Sequence, residues 1–174
     1  ATIDGTFYKT IQDAVNKVEP NQEIKLLKSI SEDFTVSSNM DVKINLNGHS
    51  ITTQVINDGT LNIYNGSLQN FENTTVINNG TFIMGENDGK VSSTNVRVVS
   101  ETTTIENNGT FKMYDGYIEG VNPSLTGDIN EIAEFARIYT KKDDQSERKY
   151  LQSLSEDAIK NKEKFDVVTA RAVA

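Results

Sequence analysis

Three segments of the chain repeat one pattern, and this repetition constrains the fold more than any other feature of the sequence. Each segment has a β-branched residue four positions before a glycine, Asn or Asp directly before that glycine, and Thr directly after it. Large apolar residues follow two and four positions after the glycine. The glycines are Gly59, Gly80 and Gly109, so the repeats are 21 and 29 residues apart. Repeats of this length are typical of solenoid proteins.

Such a repeat predicts stacked units, because a single strand-and-turn unit cannot bury its apolar face alone. Stacking pairs each strand with the next and joins the apolar side chains into one core. The Asn/Asp-Gly pairs are predicted to form corners with the glycine at positive φ, and stacked Asn side chains are expected to hydrogen-bond between units. We predict two interior files of side chains: Leu61, Phe82 and Phe111 in one, and Ile63, Met84 and Met113 in the other.

The spacing of apolar residues predicts one helix near the start of the chain and short strands after it. Apolar residues at helical spacing predict an N-terminal capping helix over residues 9–18, with Thr10 as the N-cap and Pro20 ending it. After the helix the apolar period changes to two, which is typical of strands. The segments with this period are EIKLL, DFTV, DVKINL, TLNIY, TFIM and TFKMY.

The end of the chain has a different composition. All 11 glycines lie at or before Gly127, and charged residues become denser after it. Apolar residues at helical spacing predict helices over residues 128–142 and 146–164. We therefore predict a repetitive β part, residues 1–126, and a charged helical C-terminal segment, residues 127–174. This segment is expected to cap the stack or to bind a partner.

Residues 1 to about 120 resemble the pectate-lyase-like right-handed parallel β-helix segments of large Firmicutes cell-surface proteins. The resemblance rests on FYKTIQDAV, IKLLK, INLNGHSI and NDGTLNIYNG, whereas Asn21-Gln22 replaces the Gly-Asp that is usual in the family. It implies an all-β fold, a right-handed parallel β-helix (β-solenoid), and an extracellular or cell-surface location. The chain opens with Ala1 rather than Met, and we expect it to be an excerpt or a processed form.

The last 20 residues resemble a segment of the small-subunit ribosomal RNA guanine methyltransferases, through KFDVVTARAVA. No glycine-rich loop for S-adenosylmethionine precedes this segment in the sequence. The resemblance therefore suggests a fused segment and predicts no methyltransferase activity.

Charge and composition disfavour several classes of partner and cofactor. A net charge of −8 disfavours nucleic acid, whose phosphates require a basic surface. No apolar run approaches the roughly 20 residues of a membrane-spanning helix, so membrane insertion is not predicted. The chain has no Cys and a single His, His49, which is predicted to be a turn residue. We predict no metal site and no cofactor.

An enzyme of the pectate-lyase-like class is the alternative that the resemblance raises. Such lyases hold Ca²⁺ with clustered carboxylates and use Arg as a base, and the hydrolases use paired carboxylates. Arg97 is the only Arg in the repeats, and we predict that the chain is not an enzyme. The acidic residues are scattered over predicted turns: Asp58, Glu72, Glu86, Asp88, Glu101, Glu106 and Asp115.

Two tyrosines are the best candidates for contact with a ligand. Strict alternation points Tyr64 and Tyr114 outward at the same strand position, with Gly85 in the unit between them, and leaves Lys112 outward as well. Outward aromatic rings beside a glycine suit sugar stacking or protein docking, although Tyr can simply shield a strand surface. A cell-surface glycan or a protein is the expected partner.

The sequence thus favours a non-catalytic extracellular β-solenoid module of a bacterial surface protein, acting as a structural spacer or in adhesion. A polysaccharide-binding or polysaccharide-degrading β-helix is one alternative. An appendage of a phage or another large assembly is a second alternative, and such appendages are commonly trimeric. The sequence does not fix the oligomeric state.

Overall fold

The computed structural model describes residues 1–87, 96–121, 124–132 and 136–141, which are mostly β-strand. Within these residues one short helix, α1 (Ile11–Val15), lies near the N-terminus. In chain order the strands are β1 (Thr2–Ile3), β2 (Thr6–Phe7), β3 (Ile24–Lys25), β4 (Phe34–Val36), β5 (Asp41–Asn45), β6 (Ser50–Thr52), β7 (Val55–Asn57), β8 (Thr60–Tyr64), β9 (Gly66–Asn70), β10 (Val76–Asn78), β11 (Thr81–Met84), β12 (Val96–Ser100), β13 (Ile105–Asn107), β14 (Thr110–Met113), β15 (Tyr117–Val121), β16 (Leu125–Thr126), β17 (Glu131–Ile132) and β18 (Arg137–Lys141).

The strands form three sheets, and the chain visits them in a fixed order. Sheet 1 has the order β17-β14-β11-β8-β5-β3-β1-β2, sheet 2 the order β16-β13-β10-β7-β4, and sheet 3 the order β18-β15-β12-β9-β6. From β4 onward each circuit of the chain adds one strand to sheet 2, then to sheet 1, then to sheet 3. Strands of successive circuits pair in parallel. The predicted all-β class is therefore confirmed.

The register of the sheets follows the repeated pattern in the sequence. Leu61 pairs with Phe82, which pairs with Phe111, and the two rings stack with centroids 5.6 Å apart. The next inward position forms a second file of Ile63, Met84 and Met113. All six side chains are fully buried, so both predicted interior files are confirmed.

The repeated glycines are required for a different reason from the predicted one. Gly59, Gly80 and Gly109 do not adopt positive φ, so the left-handed corner predicted at these positions is wrong. A Cβ at Gly80 would lie 2.1 Å from the carbonyl oxygen of Gly59, and a Cβ at Gly109 would lie 2.1 Å from that of Gly80. Glycine is needed here because successive circuits approach each other closely at this corner.

Two ladders of polar side chains run along this corner. On the surface, the Nδ2 of Asn79 donates to Asp58 at 2.8 Å, and that of Asn108 donates to Asn79 at 3.1 Å. The predicted hydrogen bonds between stacked Asn side chains are thus confirmed. Sequence reasoning missed the second ladder, which lies one residue earlier in each repeat and is buried.

The buried ladder consists of Asn57, Asn78 and Asn107. The Nδ2 of Asn57 donates to the Oδ1 of Asn78 at 2.7 Å, and the Nδ2 of Asn78 donates to the Oδ1 of Asn107 at 2.6 Å. Each amide also donates to a main-chain carbonyl one circuit further on: Asn57 to Thr81 at 2.9 Å, Asn78 to Thr110 at 2.9 Å, and Asn107 to Asp128 at 2.7 Å. The ladder therefore ties side chains and backbone of successive circuits together inside the protein.

The N-terminal residues cover the first edges of the sheets. Helix α1 is shorter than the predicted 9–18, but Thr10 is its N-cap, accepting a hydrogen bond from the main-chain N–H of Asp13 at 3.0 Å. Gln12 pairs with the edge strand β4 in both directions: it donates to the carbonyl of Thr35 at 3.1 Å and accepts from its N–H at 2.8 Å. In sheet 1, β1 and β2 extend the sheet beyond β3 in antiparallel fashion. Gln12 thereby satisfies the N–H and the carbonyl of Thr35 on the edge strand of sheet 2.

The helix predicted over residues 128–142 is wrong in the residues described there. Glu131–Ile132 and Arg137–Lys141 are strands, which pair with β14 and β15 of the preceding circuit. The preceding circuit offers a row of main-chain donors and acceptors, and pairing with them outweighs a weak helical preference. The strand pairing therefore continues past residue 126, where we predicted the β part to end. The helix predicted over residues 146–164 lies outside the described residues.

We predict that Asn78→Ala lowers the free energy of unfolding by roughly 3 kcal/mol, because it leaves buried polar groups of Asn57 and Asn107 without their shared partner. Urea denaturation followed by circular dichroism measures this loss. The matched control is Asn79→Ala, in the exposed ladder, where water replaces the lost hydrogen bonds and the cost should stay below about 1 kcal/mol. Equal losses in the two variants would contradict a structural role for the buried ladder.

Candidate functional site

The outer face of sheet 1 carries two rows of side chains that cross the strands. The tyrosine row is formed by Lys25, Asn45, Tyr64, Gly85 and Tyr114, which neighbour one another on successive strands or directly after them. The lysine row runs beside it and is formed by Lys43, Asn62, Ile83, Lys112 and Glu131. The predicted alignment of Tyr64, Gly85 and Tyr114 is therefore present.

Tyr64 lies at the centre of a cluster of charged side chains. Its hydroxyl donates to Glu23, and the Nζ of Lys43 lies 4.9 Å from the centroid of its ring. The same Nζ lies 2.8 Å from Glu86 and 4.0 Å from Glu23. The ring is thus fixed in position by one carboxylate and partly covered by one ammonium group.

Tyr114 lies in a similar but simpler cluster. Its hydroxyl donates to the Oε2 of Glu131 at 2.9 Å. The Nζ of Lys112 lies 3.2 Å from the same oxygen. All three predicted ligand-binding residues therefore lie on one face, and each contacts a glutamate.

The clusters change the acidity of their members. Burial raises the pKa of Tyr64, and the hydrogen bond to Glu23 and its negative charge raise it further. Burial also raises the pKa of Tyr114, with a further contribution from the hydrogen bond to Glu131. The hydrogen bond to Glu131 raises the pKa of Lys112. These raised pKa values extend the protonated state of both hydroxyls and of the ammonium group to more alkaline pH.

Sequence reasoning missed the glutamates and one lysine of this face. Glu23 is 41 residues from Tyr64, and Glu131 is 17 residues from Tyr114, in a segment predicted to be helical. Lys43 was detectable, because it lies between the apolar residues Val42 and Ile44 of the predicted strand DVKINL, which pairs with the strand of the first repeat. Glu23 and Glu131 could not be assigned to this face from the sequence, because that requires knowing how the first and last strands pair.

Other candidate residues lie elsewhere. Arg97 lies on sheet 3, where its guanidinium group is 5.1 Å from the ring centroid of Tyr117. His49 lies in the turn before β6, and its main-chain N–H donates to the carbonyl of Leu46 at 2.8 Å, as expected for a turn residue. Among the residues that the structure describes, no three His, Cys, Asp or Glu side chains come together as a potential metal site.

Comparison of the chain with protein-family models, with curated proteins and with solved structures finds no match. Of the helical residues described, none belongs to a helix long and apolar enough to cross a membrane.

We predict that the free energy of unfolding falls with pH above about 10 in the wild type, because Tyr64 ionises in the unfolded chain before it does so in the folded one. The stabilisation is complete below the unfolded pKa and is lost as pH rises towards the folded pKa. Tyr64→Phe removes this contribution, so its stability should fall less steeply.

Urea denaturation at a series of alkaline pH values measures both slopes. Glu23→Gln keeps a hydrogen-bond acceptor but removes its charge, so it should give an intermediate slope. Identical slopes for wild type and Tyr64→Phe would show that the hydroxyl is not held protonated by this cluster.

Proposed function

We propose that the chain is a non-catalytic β-solenoid module of a bacterial surface protein, which acts as a rigid spacer or in adhesion. The observation that carries this proposal is the repeated circuit: each turn of the chain adds one strand to each of three sheets. Each circuit then serves as the template for the next, so the architecture can be extended without a change of cross-section.

We further propose that the circuits form a right-handed parallel β-helix. Parallel strands joined by a crossover in one sheet are right-handed in about 98% of cases, which supports this hand. The three sheets, the continuous files of buried side chains and the close approach at Gly80 and Gly109 are consistent with that architecture.

Rigidity is supported by how the circuits are joined. Main-chain hydrogen bonds, the buried Asn ladder and the stacked rings of Phe82 and Phe111 all connect one circuit to the next. A fluctuation that separates the circuits of Phe82 and Phe111 must break all three kinds of contact together. A module of this kind suits holding other parts of a protein at a fixed distance.

The extracellular location rests on the resemblance of residues 1 to about 120 to the pectate-lyase-like segments of Firmicutes surface proteins. The motifs of that resemblance coincide with elements of the fold: FYKTIQDAV contains α1, and NDGTLNIYNG contains β8. The proposal therefore places the chain at the cell surface.

Glycan binding is a second candidate function, and the tyrosine row favours it. Tyr64 and Tyr114 lie on one face with only Gly85 between them, so their backbone positions are two strand spacings, about 10 Å, apart. Aromatic rings flanked by polar groups are typical of sites that bind sugars.

The proposed function predicts that antibodies against the chain label intact cells of the native bacterium. A cytoplasmic protein of the same cells, labelled only after lysis, is the control. Incubation of the purified chain with acidic polysaccharides should release no unsaturated product, with or without Ca²⁺. Labelling that requires lysis would overturn the surface location, and measurable turnover would overturn the non-catalytic role.

A further inference from the structure

In the part of the chain that the structure describes, the three sheets end differently at the N-terminal end of the stack. The edge of sheet 2, β4, is covered by Gln12, which bonds both main-chain groups of Thr35. The edge of sheet 3, β6, is covered by Ile30, which donates to the carbonyl of Ser50 and accepts from the N–H of Thr52, both at 2.9 Å. Sheet 1 ends on β2, and no described strand pairs with the outer edge of β2.

The main-chain groups of Phe7 point to this open edge. In the hairpin of β1 and β2, Tyr8 exchanges hydrogen bonds with Ala1: its N–H donates at 2.9 Å and its carbonyl accepts at 3.2 Å. Hydrogen-bonded and non-hydrogen-bonded pairs alternate along an antiparallel ladder, so the next pair, Phe7 and Thr2, is not hydrogen-bonded. The N–H and the carbonyl of Phe7 therefore point away from β1.

The side chain of Phe7 is exposed on the same strand. It is 78% exposed, the highest value among the large apolar side chains that the structure describes. Proteins commonly protect an open edge with a charged residue or a proline, whereas β2 consists of Thr6 and Phe7. An open edge that carries an exposed aromatic ring is suited to pairing with another strand.

The edge is complementary to itself. Where two antiparallel strands meet at a two-fold axis on a hydrogen-bonded pair, a residue's N–H and carbonyl bond the carbonyl and N–H of the same residue in the other copy. Phe7 supplies both groups on the open edge. The strand that fits is therefore β2 of a second copy.

The charges beside Phe7 favour the same arrangement. The exposed Asp4 lies three residues before Phe7 and the exposed Lys9 two residues after it, so antiparallel pairing brings Lys9 of each copy towards Asp4 of the other. Lys9 forms no ion pair with a described residue. Asp4 accepts one hydrogen bond, from the Nε2 of Gln22 at 2.8 Å, and keeps its charge available.

We propose that two copies of the chain associate through β2, pairing antiparallel at Phe7 so that sheet 1 continues from one copy into the other. The two rings then lie side by side on one face of the joined sheet and cover each other. The contact is much smaller than a standard interface, so the dimer is weak and reversible, with a Kd of roughly 10 μM to 1 mM. This inference goes beyond the proposed function, because it names a partner for the first end of the stack.

Sedimentation equilibrium of the full chain, at concentrations from about 10 μM to 1 mM, tests the proposal. The mean mass should rise with concentration from 19.3 kDa towards twice that value. Phe7→Asp removes the ring and places two carboxylates beside each other across the axis, so its Kd should rise about ten-fold or more. Phe71→Asp is the matched control, because Phe71 is also exposed but follows β9 in a loop, and it should dimerise like the wild type.

Hydrogen exchange of the wild-type chain keeps the test independent of how the variants fold. The amide of Phe7 should exchange more slowly as the concentration rises, because pairing gives its N–H an acceptor. The amide of Thr6 should not change, because Thr6 and Ile3 form a hydrogen-bonded pair within the hairpin.

A mass of 19.3 kDa at every concentration would overturn the proposal, as would dimerisation that Phe7→Asp leaves intact. Equal loss in Phe71→Asp, or exchange at Phe7 that does not depend on concentration, would also contradict it. None of these outcomes changes antibody labelling of intact cells, so the proposed function and this inference fail separately.

Discussion

In-register parallel pairing between successive circuits is the constraint on which the rest of the structure depends. It places like residues above like residues, so one inward Phe stacks on another and one buried Asn donates to the next. A buried amide would be costly if its partners were absent, but the register supplies an acceptor for the Nδ2 of all three asparagines. The ladder ends at Asn57, whose Oδ1 has no hydrogen-bond partner among the described residues because the preceding circuit has Val36 at that position.

The same register explains how the outward side chains are arranged on the surface. Because a parallel sheet brings each strand beside the equivalent strand of the next circuit, outward residues also fall into rows. Where the repeat is strict the rows are uniform, as in Thr60, Thr81 and Thr110. Where it varies, different side chains become neighbours, and Tyr64, Gly85 and Tyr114 form such a row. Any specific recognition by this fold therefore depends on the outward positions that differ between circuits.

Much of the β part was predictable because its pattern is local. The glycine-anchored repeat gave the register of Leu61, Phe82 and Phe111 without any knowledge of the sheets. The reason for Gly80 was mistaken, since a contact with Gly59 one circuit away cannot be inferred from the local preference of Asn-Gly for turns. Residues 128–142 were mistaken for a helix because the spacing of apolar residues carries no information about the open strand edge beside them. Glu23 and Glu131 were missed because their partners are brought near only by the fold.

The central claim, that circuits stack in register at a constant spacing, is tested most directly by distances between spin labels along one file of sheet 2. Thr35, Glu106 and Thr126 belong to this file, and the chain has no native Cys to interfere with labelling. Pulsed dipolar spectroscopy on Thr35→Cys combined with Glu106→Cys should give about 14 Å, and with Thr126→Cys about 19 Å, because one further circuit adds one strand spacing. Equal distances in the two pairs, or a broad distribution without a defined step, would contradict the stacked arrangement.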